Sequence, residues 1–288
     1  MSPTLVVRGI ATLLALVAYA THPAIAQQDN AFAIVNVDVI PMDTERLLEK
    51  QVVIVEDGII QSINDAASAQ IPADLDRIDG SGRYLMPGLA DLHIHLRNED
   101  ELINYLAWGV TTVMHLGGSG GPGHRHIEYR DEIRSGARLG PNIYTTDRIL
   151  DGDPAIATGA HSVSTEDDAR RIVRDLRANG YDFVKIYNTV SQPVFNAIVD
   201  AARSQNLPVF GHIPRNFDPL TALGSGQDAI AHTEELFFTY FGGPRSTENM
   251  TRNYEPDMDK LPALIEVLLD PTIALDGGVE GLVLVARL

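Results

Sequence analysis

The 288-residue chain has no cysteine, which excludes disulfides, thiolate metal sites and a cysteine nucleophile at once. Basic residues are scarce, with 22 Lys and Arg against 39 Asp and Glu and a formal net charge of −17. Nucleic-acid binding needs a Lys/Arg surplus to neutralise phosphate, so this balance argues against it. Low-complexity tracts and fixed-period repeats are also missing. What is present is 44% apolar residues, enough to build a sizeable core and to argue against wholesale disorder. Any metal must therefore be held by histidine, carboxylate or a modified lysine.

Residues 1–26 read as a signal peptide. Arg8 supplies a positive start, Ile10 to Ala20 an apolar run of eleven residues, and Ala24-Ile25-Ala26 a small-residue cleavage site. The run is short of the ~20 residues that span a bilayer, which favours a cleaved signal over an uncleaved anchor. The expected destination is the periplasm or the medium, with no membrane association once the signal is removed.

The rest divides by pattern. Residues 27–84 hold Val/Ile-rich runs, Phe32 to Ile40 and Gln51 to Val55, punctuated by turns such as Asp57-Gly58, and read as a small β segment. After Met86-Pro87-Gly88 the rhythm changes. Strand candidates at Leu89 to Leu96, Val110 to Leu116, Asn142 to Thr146, Phe183 to Tyr187, Pro208 to His212 and Ala229 to His232 alternate with helix candidates at Asp100 to Trp108, His126 to Ser135, Thr165 to Asn179 and Gln192 to Gln205. Ser164 is the expected N-cap of the third helix, with acids following in its first turn. Such alternation marks βα units and a parallel sheet. The fold class expected for 85–268 is α/β, a TIM-like (β/α) barrel with about six of its eight strands, and residues 269–288 form an atypical tail.

The histidines carry the chemical signal. His93, His95, His212 and His232 all fall at or near C-terminal ends of predicted strands, as does Lys185, and that end of a (β/α) barrel carries the active site. On a strand, residues i and i+2 face the same way, so His93 and His95 can reach one cation while Ile94 packs outward. His124-Arg125-His126, in a Gly-rich loop running into a helix, reads instead as solvated surface. His115 and His161 are open between core and pocket. Lys185, flanked by apolar residues on a buried strand, is costly as a cation. Reaction of its amine with CO2 would turn it into an anionic oxygen ligand; snorkelling to the barrel mouth is the alternative.

Met86-Pro87-Gly88-Leu89-Ala90-Asp91-Leu92-His93-Ile94-His95 resembles the first-strand signature of the amidohydrolase superfamily, and the preceding β segment is similar to that of its imidazolonepropionase-like and prolidase-like branch. Gly109-Val110-Thr111-Thr112-Val113, the lysine strand, Gly211-His212 and Ala231-His232 follow in the family's order. The resemblance implies a β-sandwich completed by C-terminal strands, and two divalent metal ions. His93 and His95 would bind one ion, His212 and His232 the other, with carbamylated Lys185 bridging them. Zinc is the commonest expectation for such ligands, with manganese, iron and cobalt left open. The ions would activate a bridging water and polarise the carbonyl of a small-molecule amide, cyclic amide or dipeptide substrate. His161 and Tyr187 resemble substrate-binding positions of the prolidase-like branch.

The family's catalytic aspartate at the end of the eighth strand is not found in the sequence, and Asp276 resembles it only superficially. Fewer residues follow His232 than two βα units and a closing β segment require, so the chain is expected to be a truncated or frame-shifted form of a longer enzyme. A catalytically inactive, metal-binding remnant is the alternative function. Gly117-Gly118-Ser119-Gly120-Gly121 and Gly118 to Gly123 match serine-elbow and dinucleotide patterns, but Pro122 blocks the helix either needs, and a pocket-lining loop explains them better. The sequence leaves oligomeric state, including a homo-oligomer, unread.

Overall fold

The computed structural model describes residues 31–118, 125–215, 217, 219–232, 235, 257–269 and 274–276. The expected signal peptide and most of the Gly-rich motif lie outside them. The chain divides into two compact units at Pro87 and Gly88.

The first unit is one five-stranded sheet. Strands β1 (Phe32–Val39), β2 (Leu48–Glu56) and β3 (Ile59–Asp65) pair antiparallel in sequence order, while β4 (Asp76–Asp79) and β5 (Tyr84–Leu85) join β1 in parallel. Asp57 and Gly58 both take positive φ, 50° and 77°, as the tight turn joining β2 to β3 demands. Val37, Val39 and Val53 form its small core, with Ile34, Leu48, Val55 and Leu85 packed around them. Among the described residues this unit is a single layer; the second layer of a sandwich is not among them.

The second unit is α/β with parallel sheets. β6 (Leu89–Ile94), β7 (Val110–His115) and β8 (Asn142–Thr145) form one sheet in sequence order. A second runs β10 (His161–Ser162), β9 (Leu150–Asp151), β11 (Val184–Ile186), β12 (Val209–Gly211), β13 (Ala229–Ala231) and β14 (Ala274–Asp276). The two are stitched where Asp182 N–H donates to the Thr145 carbonyl at 2.9 Å and Thr145 N–H to the Asp182 carboxylate at 2.8 Å. Helices α1 (Asp100–Ala107), α2 (Arg125–Arg134), α3 (Glu166–Ala178), α4 (Gln192–Ser204), α5 (Pro219–Ser225) and α6 (Leu261–Leu268) fall between strands. The apolar faces of α3 (Ala169, Ile172, Val173, Leu176) and α4 (Val194, Phe195, Ile198, Ala202) cluster with Val184, Ile186 and Val209 in the main core.

Three details differ from the sequence reading. The N-cap of α3 is Thr165, whose hydroxyl accepts the Asp168 N–H at 3.1 Å; Ser164 instead donates to the Asp153 carboxylate. The two-residue strands β9 and β10 were too short to show as periodicity. And β14 lies parallel beside β13, pairing Ala274 with Ala229 and Asp276 with Ala231, in a stretch where no strand was expected.

Candidate functional site

The strand ends of the second unit converge on a cavity of about 320 Å³ lined by His95, Gly118, Ile149, Ile156, Ala157, Thr158, Lys185, Tyr187, His212 and His232. The His93 ring adjoins it, its centroid 5.4 Å from that of His95 and 4.4 Å from that of His232. His212 and His232 stand 4.8 Å apart, and Tyr187 packs on His212 at 4.1 Å. Six of the seven expected site residues thus meet in one place. The seventh, His161, is on β10 outside the lining, where its Nε2–H donates to Asp147 at 3.1 Å. A larger, more open hollow of about 710 Å³, lined by Ile40, Met42 to Leu47 and Tyr84 in the first unit, gathers none of these groups.

Local structure explains the convergence. Parallel pairing of Ile186 with Gly211 sets Tyr187 and His212 side by side just past their strands. That approach requires glycine: a Cβ on Gly211 would stand 2.1 Å from the Ile186 carbonyl oxygen. Gly118 plays a similar part, since its Cβ would meet the His95 ring at 3.1 Å. His232 turns into the site with φ of 72°, a conformation costly for a residue with a side chain and typical of functional positions.

Two rings have their tautomers fixed from behind. His95 Nδ1–H donates to the Gly117 carbonyl at 2.6 Å. His212 Nδ1–H points at both Asn188 Oδ1, 3.0 Å away, and the buried Glu235 carboxylate at 3.2 Å. For the neutral His95 this leaves the lone pair on Nε2, which is how outer partners prepare metal-binding histidines. Burial lowers the pKa of His95, and nearby His93, Lys185 and Arg97 add to it against the Gly117 carbonyl, so the ring is neutral at pH 7. Lys185 is 1% exposed.

Ring spacing tests whether cations fit. A zinc–nitrogen bond of about 2.1 Å puts each centroid about 3.2 Å from the ion, so two rings on one tetrahedral ion stand about 5 Å apart. The His93–His95 and His212–His232 separations of 5.4 and 4.8 Å agree with that. Among the described residues no three His, Asp or Glu side chains form a ready-made metal group. The rings are thus spaced as imidazoles that can share a cation, and His93 stands nearer to His232, at 4.4 Å, than to His95; Lys185 also lines the cavity.

Sequence reasoning misplaced His126. It is buried, 6% exposed, donates through Nε2–H to the Leu96 carbonyl at 3.1 Å, and stacks on His115 with centroids 3.9 Å apart. His115 is fully buried. Its Nδ1 accepts the Leu96 N–H at 2.9 Å, its Nε2 has no hydrogen-bond partner, and burial, then His126 and His95, depress its pKa to about 2. The pair belongs to the packing behind the site. Asp151 was also missed: fully buried, it receives the N–H groups of Gly152, Ile156, Ala157 and Thr189 and the Thr189 hydroxyl. Burial raises its pKa, but those hydrogen bonds outweigh it and the net shift is downward.

No family model matches the chain. A dihydroorotase of Desulforapulum autotrophicum is 36% identical over 56 residues, 19% of this chain and 13% of that protein. A deacetylase of Brucella anthropi is 35% identical over 71 residues, 23% of this chain and 17% of that protein. Among solved structures, a protein assigned as a prolidase from Bifidobacterium longum is 26% identical with a TM-score of 0.62, over 70% of this chain and 54% of that one. Together these likenesses support a place for the chain in the amidohydrolase superfamily. The fold of the chain is also shared with a bottromycin amidohydrolase (TM-score 0.62, 23% identical, over 84% of this chain and 49% of that one). The chain spans 13% and 17% of the length of these curated relatives and about half of these solved structures.

Proposed function

We propose that the protein is a metal-dependent hydrolase of a C–N bond in a small amide, cyclic amide or dipeptide. The observation that carries this reading is the meeting of four imidazoles and a buried lysine from separate β elements around one cavity. Its volume of about 320 Å³ is at the lower end of ligand pockets, the size for a small molecule. Relatives described as a dihydroorotase, a deacetylase and a Xaa-Pro dipeptidase support the bond type.

His93 and His95 would hold one divalent cation and His212 and His232 a second, with Lys185, as its carbamate, a further oxygen ligand, within a (β/α) barrel. Bound there, such ions, zinc first, supply Lewis acidity and an activated water. The chain's own residues do the rest. The Gly117 carbonyl orients the His95 ring, and Asn188 with Glu235 orients the His212 ring. Ile149, Ile156 and Ala157 form one apolar wall, and Tyr187, stacked on His212, is placed to touch substrate. His161 is a more remote contact, reached through a longer substrate. Export through residues 1–26 belongs to the same proposal.

A second reading, metal binding without turnover, is favoured by one observation: among the described residues lining the cavity there is no carboxylate. Metal analysis combined with turnover of a panel of N-acyl amino acids, dipeptides and cyclic amides separates the two. Bound metal with hydrolysis supports the enzyme; bound metal with none supports the remnant; a protein that takes up no metal contradicts both.

A further inference from the structure

The buried carboxylate of Asp151 lies between two parts of the site that chemistry must keep together. It ends β9, whose Leu150 pairs with Ile186 on the lysine strand. One oxygen, Oδ1, accepts Gly152 N–H (3.0 Å), Thr189 N–H (2.9 Å) and the Thr189 hydroxyl (2.7 Å). The other, Oδ2, accepts Ile156 N–H (2.7 Å) and Ala157 N–H (3.1 Å). Thr189 follows Asn188, the residue behind His212, while Ile156 and Ala157 are cavity wall. A single anion therefore ties the apolar wall to the strand end that presents Lys185 and Tyr187. The approach is too close for any side chain on Gly152, whose Cβ would stand 2.0 Å from the Thr189 carbonyl oxygen.

Such an arrangement is expensive unless complete. A fully buried carboxylate costs several hydrogen bonds' worth of lost hydration, and it is stable here because five donors replace the water. Of the other ties of this loop, the Ser162 and Ser164 hydroxyls to Asp153 and the Thr189 hydroxyl to the Pro154 carbonyl are at exposed positions where water competes, while the Ser162 hydroxyl also donates, in a half-buried position, to the Gly152 carbonyl at 3.2 Å. Ile156 meanwhile stays 47% exposed at the cavity, open to contact by a ligand.

We propose that Asp151 is a positioning and specificity-determining residue: it fixes residues 152–158 so that Ile149, Ile156 and Ala157 form a narrow aliphatic wall, which selects amides carrying a compact aliphatic group on that side over bulky aromatic or charged ones. The selectivity part rests on the hydrolase reading above. The holding part does not.

Two variants and two measurements test it. Asp151→Asn keeps the shape but presents an amide to several N–H donors, and Thr189→Val removes the hydroxyl alone. Hydrogen exchange on the metal-loaded protein reads the loop directly. The Ile156 and Ala157 amides are expected to exchange about tenfold faster or more in Asp151→Asn, as loss of a charge-assisted hydrogen bond implies, while amides of α4 stay unchanged. Thr189→Val, which leaves those two bonds in place, is expected to give a smaller rise. The second measurement is turnover of N-acetyl-glycine, N-acetyl-valine and N-acetyl-phenylalanine. The wild type is expected to prefer the valine compound, and Asp151→Asn to raise its KM and flatten the preference with kcat and metal content kept. Unchanged exchange at Ile156 and Ala157 overturns the holding role, and so does an Asp151→Asn protein that fails to fold while Thr189→Val leaves the loop untouched. A wild type that cleaves all three equally, or prefers phenylalanine, overturns the selectivity. No turnover of any amide by the metal-loaded wild type overturns the hydrolase reading instead, and exchange still decides the holding role.

Discussion

His115 gives the sharpest test of the packing behind the site. In the folded chain its pKa is depressed to about 2, from 6.5 for an exposed imidazole, because the ring is fully buried, Nε2 has no acceptor and two other histidines stand near. Below pH 6.5 the unfolded chain binds a proton that the folded chain refuses, so stability falls as pH falls from about 6.5 toward 2. The slope approaches about 1.4 kcal/mol per pH unit, and integration from pH 7 to pH 5 gives a loss of about 2 kcal/mol from this residue alone. The reference is His115→Asn, whose side-chain oxygen can still accept the Leu96 N–H but does not titrate. Urea unfolding of both proteins at pH 7 and pH 5, in excess chelator to remove any metal linkage, isolates the difference. Wild type should lose about 2 kcal/mol more than the variant over that interval. Equal losses would show that the folded state protonates His115 readily and would refute the burial described above.

Other consequences follow from the site's geometry. Lys185→Ala should abolish at least one equivalent of bound metal by elemental analysis, and full retention would contradict the bridging role. Asn188→Ala and Glu235→Gln, which loosen His212 from behind, should each weaken cobalt or zinc binding about 10- to 100-fold in competition titrations, the usual cost of losing an outer partner. Gly211→Ala should destabilise by at least about 1–3 kcal/mol in denaturant unfolding, since the new methyl must push β12 off the Ile186 carbonyl. Asp151 carries a lowered pKa, so the stability it contributes is present above the ordinary carboxylate range and is lost as pH falls through that lowered value. Asp151→Asn should flatten the acid limb of the stability curve.

Much of the second unit was legible because several of its strands are short Val/Ile-rich runs and α3 and α4 are amphipathic over three or four turns. The six strands that carry the site were found to within a residue or two, and with them the five residues near strand ends that meet at the cavity. What failed needed tertiary information. His126 looked solvated beside glycines, yet the packing of α2 puts its ring over His115. Asp151 gave no signal because four of its five partners are backbone N–H groups, which any sequence possesses. Asn188 and Glu235 matter only through where His212 lands. β14 is three residues long, and only its pairing with β13 makes it a strand. Ser164 and Thr165 are equally good caps on paper; a competing bond from Ser164 to Asp153 leaves the helix to Thr165.

The most direct test of the central claim is metal stoichiometry of the purified protein after loading with zinc and desalting, compared with a His93→Ala/His212→Ala double variant that removes one ligand from each pair. The account predicts about two equivalents in the wild type and a loss of both in the variant, with folding by circular dichroism retained. Absence of zinc from the wild type, or equal binding by both proteins, would contradict it.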